Sequence, residues 1–204
     1  VKIQKMKKGN LILLVIVGLL ALVGFNGCNT YNQFVEFNEN AEKAWANVQT
    51  QYQRRLDLIG NLVKTVQGAA DFERSTLTEI TEARARVGSI QLNANELTEE
   101  KLAEFQAAQD QMRSALSRLL VVVERYPELK ANQNFLELQA QLEGTENRIA
   151  TARRDFNDVV AVYNKAVKRF PGRFWASVFG FEPKAMFKSE AGAEKAPEVQ
   201  FDFK

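Results

Sequence analysis

The residues best suited to chemistry lie in "YQRRLDLIGN", where Gln53, Arg54, Arg55, Asp57 and Asn61 crowd together. Asp57 and Asn61 are four apart, so on a helix they share one face. Arg55 instead takes a position in an apolar seam, where an unpaired guanidinium is costly. A second polar group, Arg153, Arg154, Asp155, Asn157, Asp158 and Asn164, stands far downstream. Such residues could bind a small ligand, or they could form a polar layer that fixes helix register, as buried polar groups do in coiled coils. The layer is the favoured reading for Arg55, Asp57 and Asn61.

Other chemistries lack their parts. The chain has no histidine, which removes the commonest general base and the commonest transition-metal ligand. A bundle-type di-iron centre, which draws on Glu-x-x-His pairs, has no support. The single cysteine, Cys28, can form no intrachain disulfide or Cys-rich metal site. Serine nucleophiles lack a base partner, and the scattered glycines make no phosphate loop. The expectation is a non-enzyme with no catalytic residue, metal or cofactor. Lys+Arg is 27 and Asp+Glu 25, but four of the lysines (Lys2, Lys5, Lys7, Lys8) precede every acid, leaving 23 basic residues against 25 acidic. That balance argues against a nucleic-acid partner.

No charge occurs from Gly9 to Val35, and Leu11 to Phe25 is an unbroken apolar run of 15 residues. The run is long for a signal-peptide core and short for a spanning helix, and its uncharged flanks make up the length. A lipoprotein signal would put a Leu-like residue and then a small one ahead of Gly27-Cys28. Phe25 and Asn26 do not match. Nor does Phe25-Asn26-Gly27 supply small residues for simple secretory cleavage. An uncut anchor is therefore favoured, with lipidation of Cys28 and secretion as alternatives. The lysines before the span place the amino terminus in the cytoplasm and the large domain outside, by the positive-inside rule. The expected location is a membrane crossed once, and a bacterial inner membrane is what the family resemblance given below implies.

After the anchor the apolar residues fall into 3-4 spacing. One seam reads Phe34, Ala41, Trp45, Val48, Tyr52, Ile59, Leu62, Val66 and Ala69, with Asn38 and Arg55 as polar exceptions. Another reads Leu102, Phe105, Met112, Leu116, Leu119, Val123 and Tyr126, with Gln109 as its exception. The longest runs Phe135, Leu138, Leu142, Thr145, Ile149, Ala152, Phe156, Val159, Tyr163, Ala166, Phe170. Breaks are expected at Gly68, with Asp71 capping a second helix, and at the loop "GSIQLNANEL". Thr98 should cap a third helix, Pro127 should stop it, Asn132 or Asn134 should cap a fourth, and "PG" at 171–172 should end it. The fold class is all-α: an amino-terminal transmembrane helix and an elongated antiparallel four-helix bundle. The expected organisation is 1–30 basic stub and anchor, 31–171 bundle, 172–187 aromatic and basic segment, and 188–204 flexible tail.

A helix leaving the membrane, followed by three alternating ones, brings the chain back to the membrane near "KRFPGRFWASVFGFEPKAMF". Phe170, Arg173, Phe174, Trp175, Phe179 and Phe181 mix aromatic and basic character, which suits a bilayer interface. The competing reading is a short helix packing its aromatics on the open end of the bundle. The tail's "VQFDF" alternates like a strand and could add to a partner's sheet edge.

These strings also resemble a known family. "AWANVQTQYQRRLDLIGNLVKTVQGAADFE", "LTEITEARA" and "VVERYPELKANQNFLELQAQLEGTENRIATARRDFNDVVAVYNKAVKRFPG" are similar to the LemA family of bacterial membrane-anchored proteins, as is the ending "FGFEPKAMFKSEAGAEKAPEVQF". The resemblance implies a transmembrane helix followed by a helical bundle, and it transfers no catalytic residue because the family has no established molecular function. Some members are expected to place the amino terminus outside, opposite to the charge-based orientation. Gly60 departs from the family's usual Pro in "DLIPNLV". The expected function is a non-catalytic envelope scaffold or adaptor that holds unidentified protein partners near the bilayer. The alternatives are a lipid-engaging protein using residues 170–187 and a small-ligand sensor. The long seams also permit a homo-oligomer.

Overall fold

A computed structural model describes residues 8–68 and 72–188, all helix and connecting coil, with no strand among them. Lys2, Lys5, Lys7, Ala69, Asp71 and the tail from Ser189 lie outside the described residues. The helices are α1 (Lys8–Gln67), α2 (Arg74–Ser89), α3 (Glu99–Val123), the single turn α4 (Pro127–Lys130), α5 (Gln133–Lys168) and α6 (Gly172–Phe179), with one 3-10 turn at Ala94–Glu96.

α1 is one helix of 60 residues, about 90 Å long. Its first part carries the apolar run, which is exposed from Ile12 to Phe25, with Leu20 at 66% and Phe25 at 76%. This is the one segment among the described residues long and apolar enough to cross a membrane. The helix passes the expected joint at residue 30 without interruption and becomes the first helix of the bundle.

α5 lies antiparallel to α1 along nearly its whole length. Trp45 meets Phe156 (ring centroids 5.4 Å apart), and Arg55 reaches Glu146. α2 and α3 form a second antiparallel pair, tied at the surface by Arg118–Glu79 and Arg125–Glu73. This pair covers the end of the molecule away from the span, where Ile59, Leu62, Ile80, Met112, Leu119 and Phe135 form one core. There the bundle has four helices. Nearer the span, α2 is absent, and a non-helical segment, residues 181–188, closes the core around Trp45, Phe105 and Phe156.

The expected caps divide. Thr98 accepts from the Lys101 N–H, and Asn132 accepts from the Phe135 N–H, satisfying donors that a helix start leaves open. α2 starts after Glu73, which makes no side-chain capping bond. α3 ends at Val123, ahead of Pro127, which instead opens α4 because its missing N–H costs nothing at a helix start. α5 ends at Lys168, and Pro171-Gly172 begins α6. Gly172 is needed there, since a Cβ would lie 2.2 Å from the Ala166 carbonyl oxygen.

The seams hold with one correction. Beyond Phe156 the core passes through Val160 (0% exposed) and Val167 (4%), whereas Val159 and Ala166 are half-buried and Phe170 is 87% exposed. A straight α-helix drifts by about 20° per heptad against a strict 3-4 repeat, so a long seam moves over by a residue.

Gly60 lies inside α1 without ending it. Arg84 Nε donates to the Leu56 carbonyl at 3.2 Å, the same carbonyl that the Gly60 N–H reaches in a helix. That carbonyl would keep a donor if proline replaced Gly60. Gly60→Pro should therefore cost well under the ~3 kcal/mol of an interior helix proline, with more of that cost returning in an Arg84→Ala background. Thermal unfolding of the four variants in detergent checks this double-mutant cycle.

Candidate functional site

The polar cluster of α1 splits on folding. Arg55 is 3% exposed, donates from Nη1 to Glu146 at 2.9 Å, and from Nη2 to Gln109 of α3. Its guanidinium also sits 5.1 Å from the Tyr52 ring centroid. Arg55 thus ties α1, α3 and α5 together at one level. Arg55 Nε and Gln109 Nε2 have no hydrogen-bond partner among the described residues, and buried polar atoms left so cost stability. Asp57 and Asn61 take no part in this layer. Both are exposed, and Asp57 accepts from Gln53, one turn earlier on the same helix. Burial pushes the Tyr52 hydroxyl above its ordinary value, against the pull of Arg153 and Arg55.

The second polar group, on α5, has a use that its sequence does not announce. Asn164 Nδ2 donates to the Lys184 carbonyl and its Oδ1 accepts from the Lys184 N–H, both at 2.8 Å. One heptad earlier, Asn157 does the same for Phe187, both at 2.9 Å. The Tyr163 hydroxyl donates to the Glu182 carbonyl at 2.8 Å, and the Ala185 N–H donates to the Leu97 carbonyl at 3.2 Å. Residues 181–188 therefore form an extended strap whose main chain is held by side-chain amides of α5 on one side and by the 92–98 loop on the other. Its side chains alternate: Ala185 and Phe187 are buried, whereas Met186 and Lys188 point outward. Phe187 stacks on Trp45 at 6.0 Å, and Arg153 lies 4.7 Å from its ring centroid. The loop is itself fixed by Trp45 Nε1 and Gln49 Nε2, both donating to the Leu92 carbonyl. Burial lowers the Lys184 ammonium, opposed by Glu42, while its Nζ donates to the Ala94 carbonyl and to Asn95.

The aromatic segment divides between two environments. Trp175 lies against Gly27 of α1, where a Cβ would come within 2.8 Å of the indole ring. Only glycine admits the ring at that distance. Phe179 meets Tyr31 edge-on at 5.1 Å, and Phe181 packs on Phe34 at 5.2 Å. Contacts that advance together along both helices make α6 run in the direction of α1. Phe170, Arg173, Phe174 and Val178 remain outside, with Phe174 at 56% and Val178 at 57% exposed. Cys28 is exposed, next to the Trp175 seat.

An uninterrupted helix from an apolar span into an antiparallel bundle, closed by a strap at the span end, defines a membrane protein built on a helical stalk. The chain belongs to the LemA family, whose profile matches residues 44–201. It is 28% identical to Magnetosome protein MamQ of Magnetospirillum gryphiswaldense over 210 residues, covering 94% of this chain and 77% of that protein. Magnetosome protein MamQ 2 of Paramagnetospirillum magneticum is 26% identical with the same coverage. Protein LemA of Metamycoplasma hominis is 24% identical over 68% of this chain and 60% of its own length.

The strap's main-chain bonds set an expectation. Asn157→Ala or Asn164→Ala should each destabilise the protein by about 1–2 kcal/mol, because partly buried main-chain groups lose their partners. Either variant should also be cleaved faster by trypsin after Lys184 or Lys188. Asn164→Asp should do no better than alanine, since it sets a carboxylate against the Lys184 carbonyl. Unchanged cleavage in all three variants would sink the clamp.

Proposed function

We propose that the chain is a non-catalytic scaffold that holds partner proteins beside a bacterial inner membrane, with its bundle on the extracytoplasmic side. The observation that carries this reading is an open apolar groove between α1 and α5. Phe37, Ala44, Val159 and Val162 line it, with Asn40, Lys43 and Asn47 at its rim, around a volume of about 610 Å³. α2, α3 and the strap cover other faces of the α1–α5 pair and leave this one to solvent, with Val162 at 52% exposed. Apolar surface with a polar rim, held at a set height above the bilayer by an unbroken helix, suits protein contact. The buried Arg55 layer suits register better than ligand sensing, because its guanidinium is already engaged by Glu146 and Gln109.

The orientation rests on charge: the described residues from Gly9 to Val35 carry none, and lysines precede them. Glu143 is exposed near the far end of the bundle. In a Cys28→Ser background, Glu143→Cys should react with a membrane-impermeant maleimide on cells whose outer membrane has been opened and whose inner membrane is intact. Labelling only after inner-membrane lysis would reverse the orientation.

The scaffold reading is tested in the groove. A photo-crosslinking amino acid at Val162 should give discrete protein adducts in living cells, and one at Val121 should give few. Val121 is a suitable control because it is 71% exposed on α3, outside the groove. Adducts of twice the chain's own mass would identify a second copy as the partner. Indistinguishable patterns at the two sites would remove the groove as a protein-binding surface.

A further inference from the structure

The apolar run of α1 is shorter than the bilayer it has to cross. Its 15 residues, Leu11 to Phe25, span about 22 Å of helix, against a hydrocarbon layer of about 30 Å that takes about 20 residues. The next five residues, Asn26, Gly27, Cys28, Asn29 and Thr30, are polar or small. A span of this kind is short by more than one helical turn, and short spans are accommodated by bilayer thinning or by apolar surface from elsewhere.

α6 lies at that level. Trp175 sits on Gly27, and Phe179 meets Tyr31, so the short helix flanks the turn where α1 loses its apolar character. The rings of Trp175 and Phe179 stack at 5.6 Å and fix its orientation. The other side of α6 presents Phe174 and Val178, one turn apart, and Phe170 precedes them at 87% exposed. No carboxylate occurs from Val159 to Phe181, whereas Lys165, Lys168, Arg169 and Arg173 fall in that stretch, all exposed. Apolar rings flanked by cations, with no acid between, match the boundary of acyl chains and anionic headgroups.

We propose that α6 is an interfacial collar that stands alongside α1 at the boundary of acyl chains and headgroups and completes the short apolar belt of α1. Its ligand is the surface of an anionic phospholipid bilayer. Phe170, Phe174 and Val178 enter the upper acyl region, and the four basic side chains meet lipid phosphates. The Gly27–Trp175 contact sets the depth of the collar, and with it the height of the bundle above the membrane. The collar engages lipid, so it stands whether or not the α1–α5 groove holds a protein.

The full-length chain in lipid nanodiscs tests this. In a Cys28→Ser background, Val178→Cys carries an environment-sensitive fluorophore, and Val121→Cys, on the same chain but remote from the span, serves as the aqueous control. The probe at 178 should emit to the blue of the probe at 121. It should be quenched several-fold more by a nitroxide near the top of the acyl chain than by one near its end. Adding Lys168→Glu and Arg173→Glu should reduce that quenching in discs containing phosphatidylglycerol, and much less in purely zwitterionic discs. A probe at 178 as wet as the one at 121 would overturn the collar. So would a shielded probe that no lipid nitroxide reaches, which would mean that protein covers the face. Both labelled positions are exposed, and unchanged circular dichroism confirms that the variants keep the fold.

Discussion

The antiparallel seam between α1 and α5 is the constraint on which the other parts depend. It begins near the span, where Phe34 shares a core with Tyr163 and Val167, and continues to the far end, where Leu62 shares one with Leu142. Two helices of this length bury only a narrow stripe, so each flank needs a cover. α2 and α3 are too short to cover the whole length. The 16 residues of α2 serve the far half, the 25 of α3 reach from there to Phe105 and Leu102 beside Trp45, and the strap closes the rest of the near half. The face left open is the groove of Phe37, Ala44, Val159 and Val162.

An extended strap in a helical bundle raises a hydrogen-bonding problem. Its N–H and C=O groups have no helix of their own, and leaving them unpaired beside a core would cost about 1–3 kcal/mol each. Asn157 and Asn164 solve it because a carboxamide offers one donor and one acceptor in the spacing of a peptide group. Seven residues of helix rise about 10 Å, and the three residue steps from Lys184 to Phe187 cover about the same distance when extended. The two amides therefore meet the strap at matching positions. Aspartate, serine or glutamine at either position would lack the donor, the reach or the rigidity. The inward positions of the strap go to Ala185 and Phe187, and Phe187 fills the core beside Trp45 and Phe156.

Much of this fold is legible in the sequence because burial follows helix periodicity. The seams through Trp45, Met112 and Ile149 mark core positions, and Thr98 and Asn132 mark helix starts through bonds made within three residues. The exposed apolar run of α1 is equally plain. The site is less so. Arg55 reads correctly as a buried charge, but its partners Gln109 and Glu146 lie on other helices, while its neighbours Asp57 and Asn61 turn to solvent. Asn157 and Asn164 stand out as polar residues one heptad apart, yet nothing local tells a clamp from a solvated surface. Their partner segment carries only the weak alternation of Ala185 and Phe187. Trp175 and Gly27 meet through tertiary closeness alone, so neither predicts the other.

Gly27 is where two explanations of one residue meet. A small residue directly before a cysteine is part of a lipoprotein signal, and it is also what an indole ring needs in order to lie against a helix. The ring contact requires glycine without reference to Cys28, and it leaves Phe25 and Asn26 free to be what they are. Cleavage on the amino side of Cys28 would discard Gly27 and leave Trp175 against a helix end with no seat. It would also remove the run from Ile12 to Phe25, which continues into the bundle without a break in α1. The contact between Trp175 and Gly27 thus needs both residue 27 and the helix that carries it, and it forms only in a chain that keeps them.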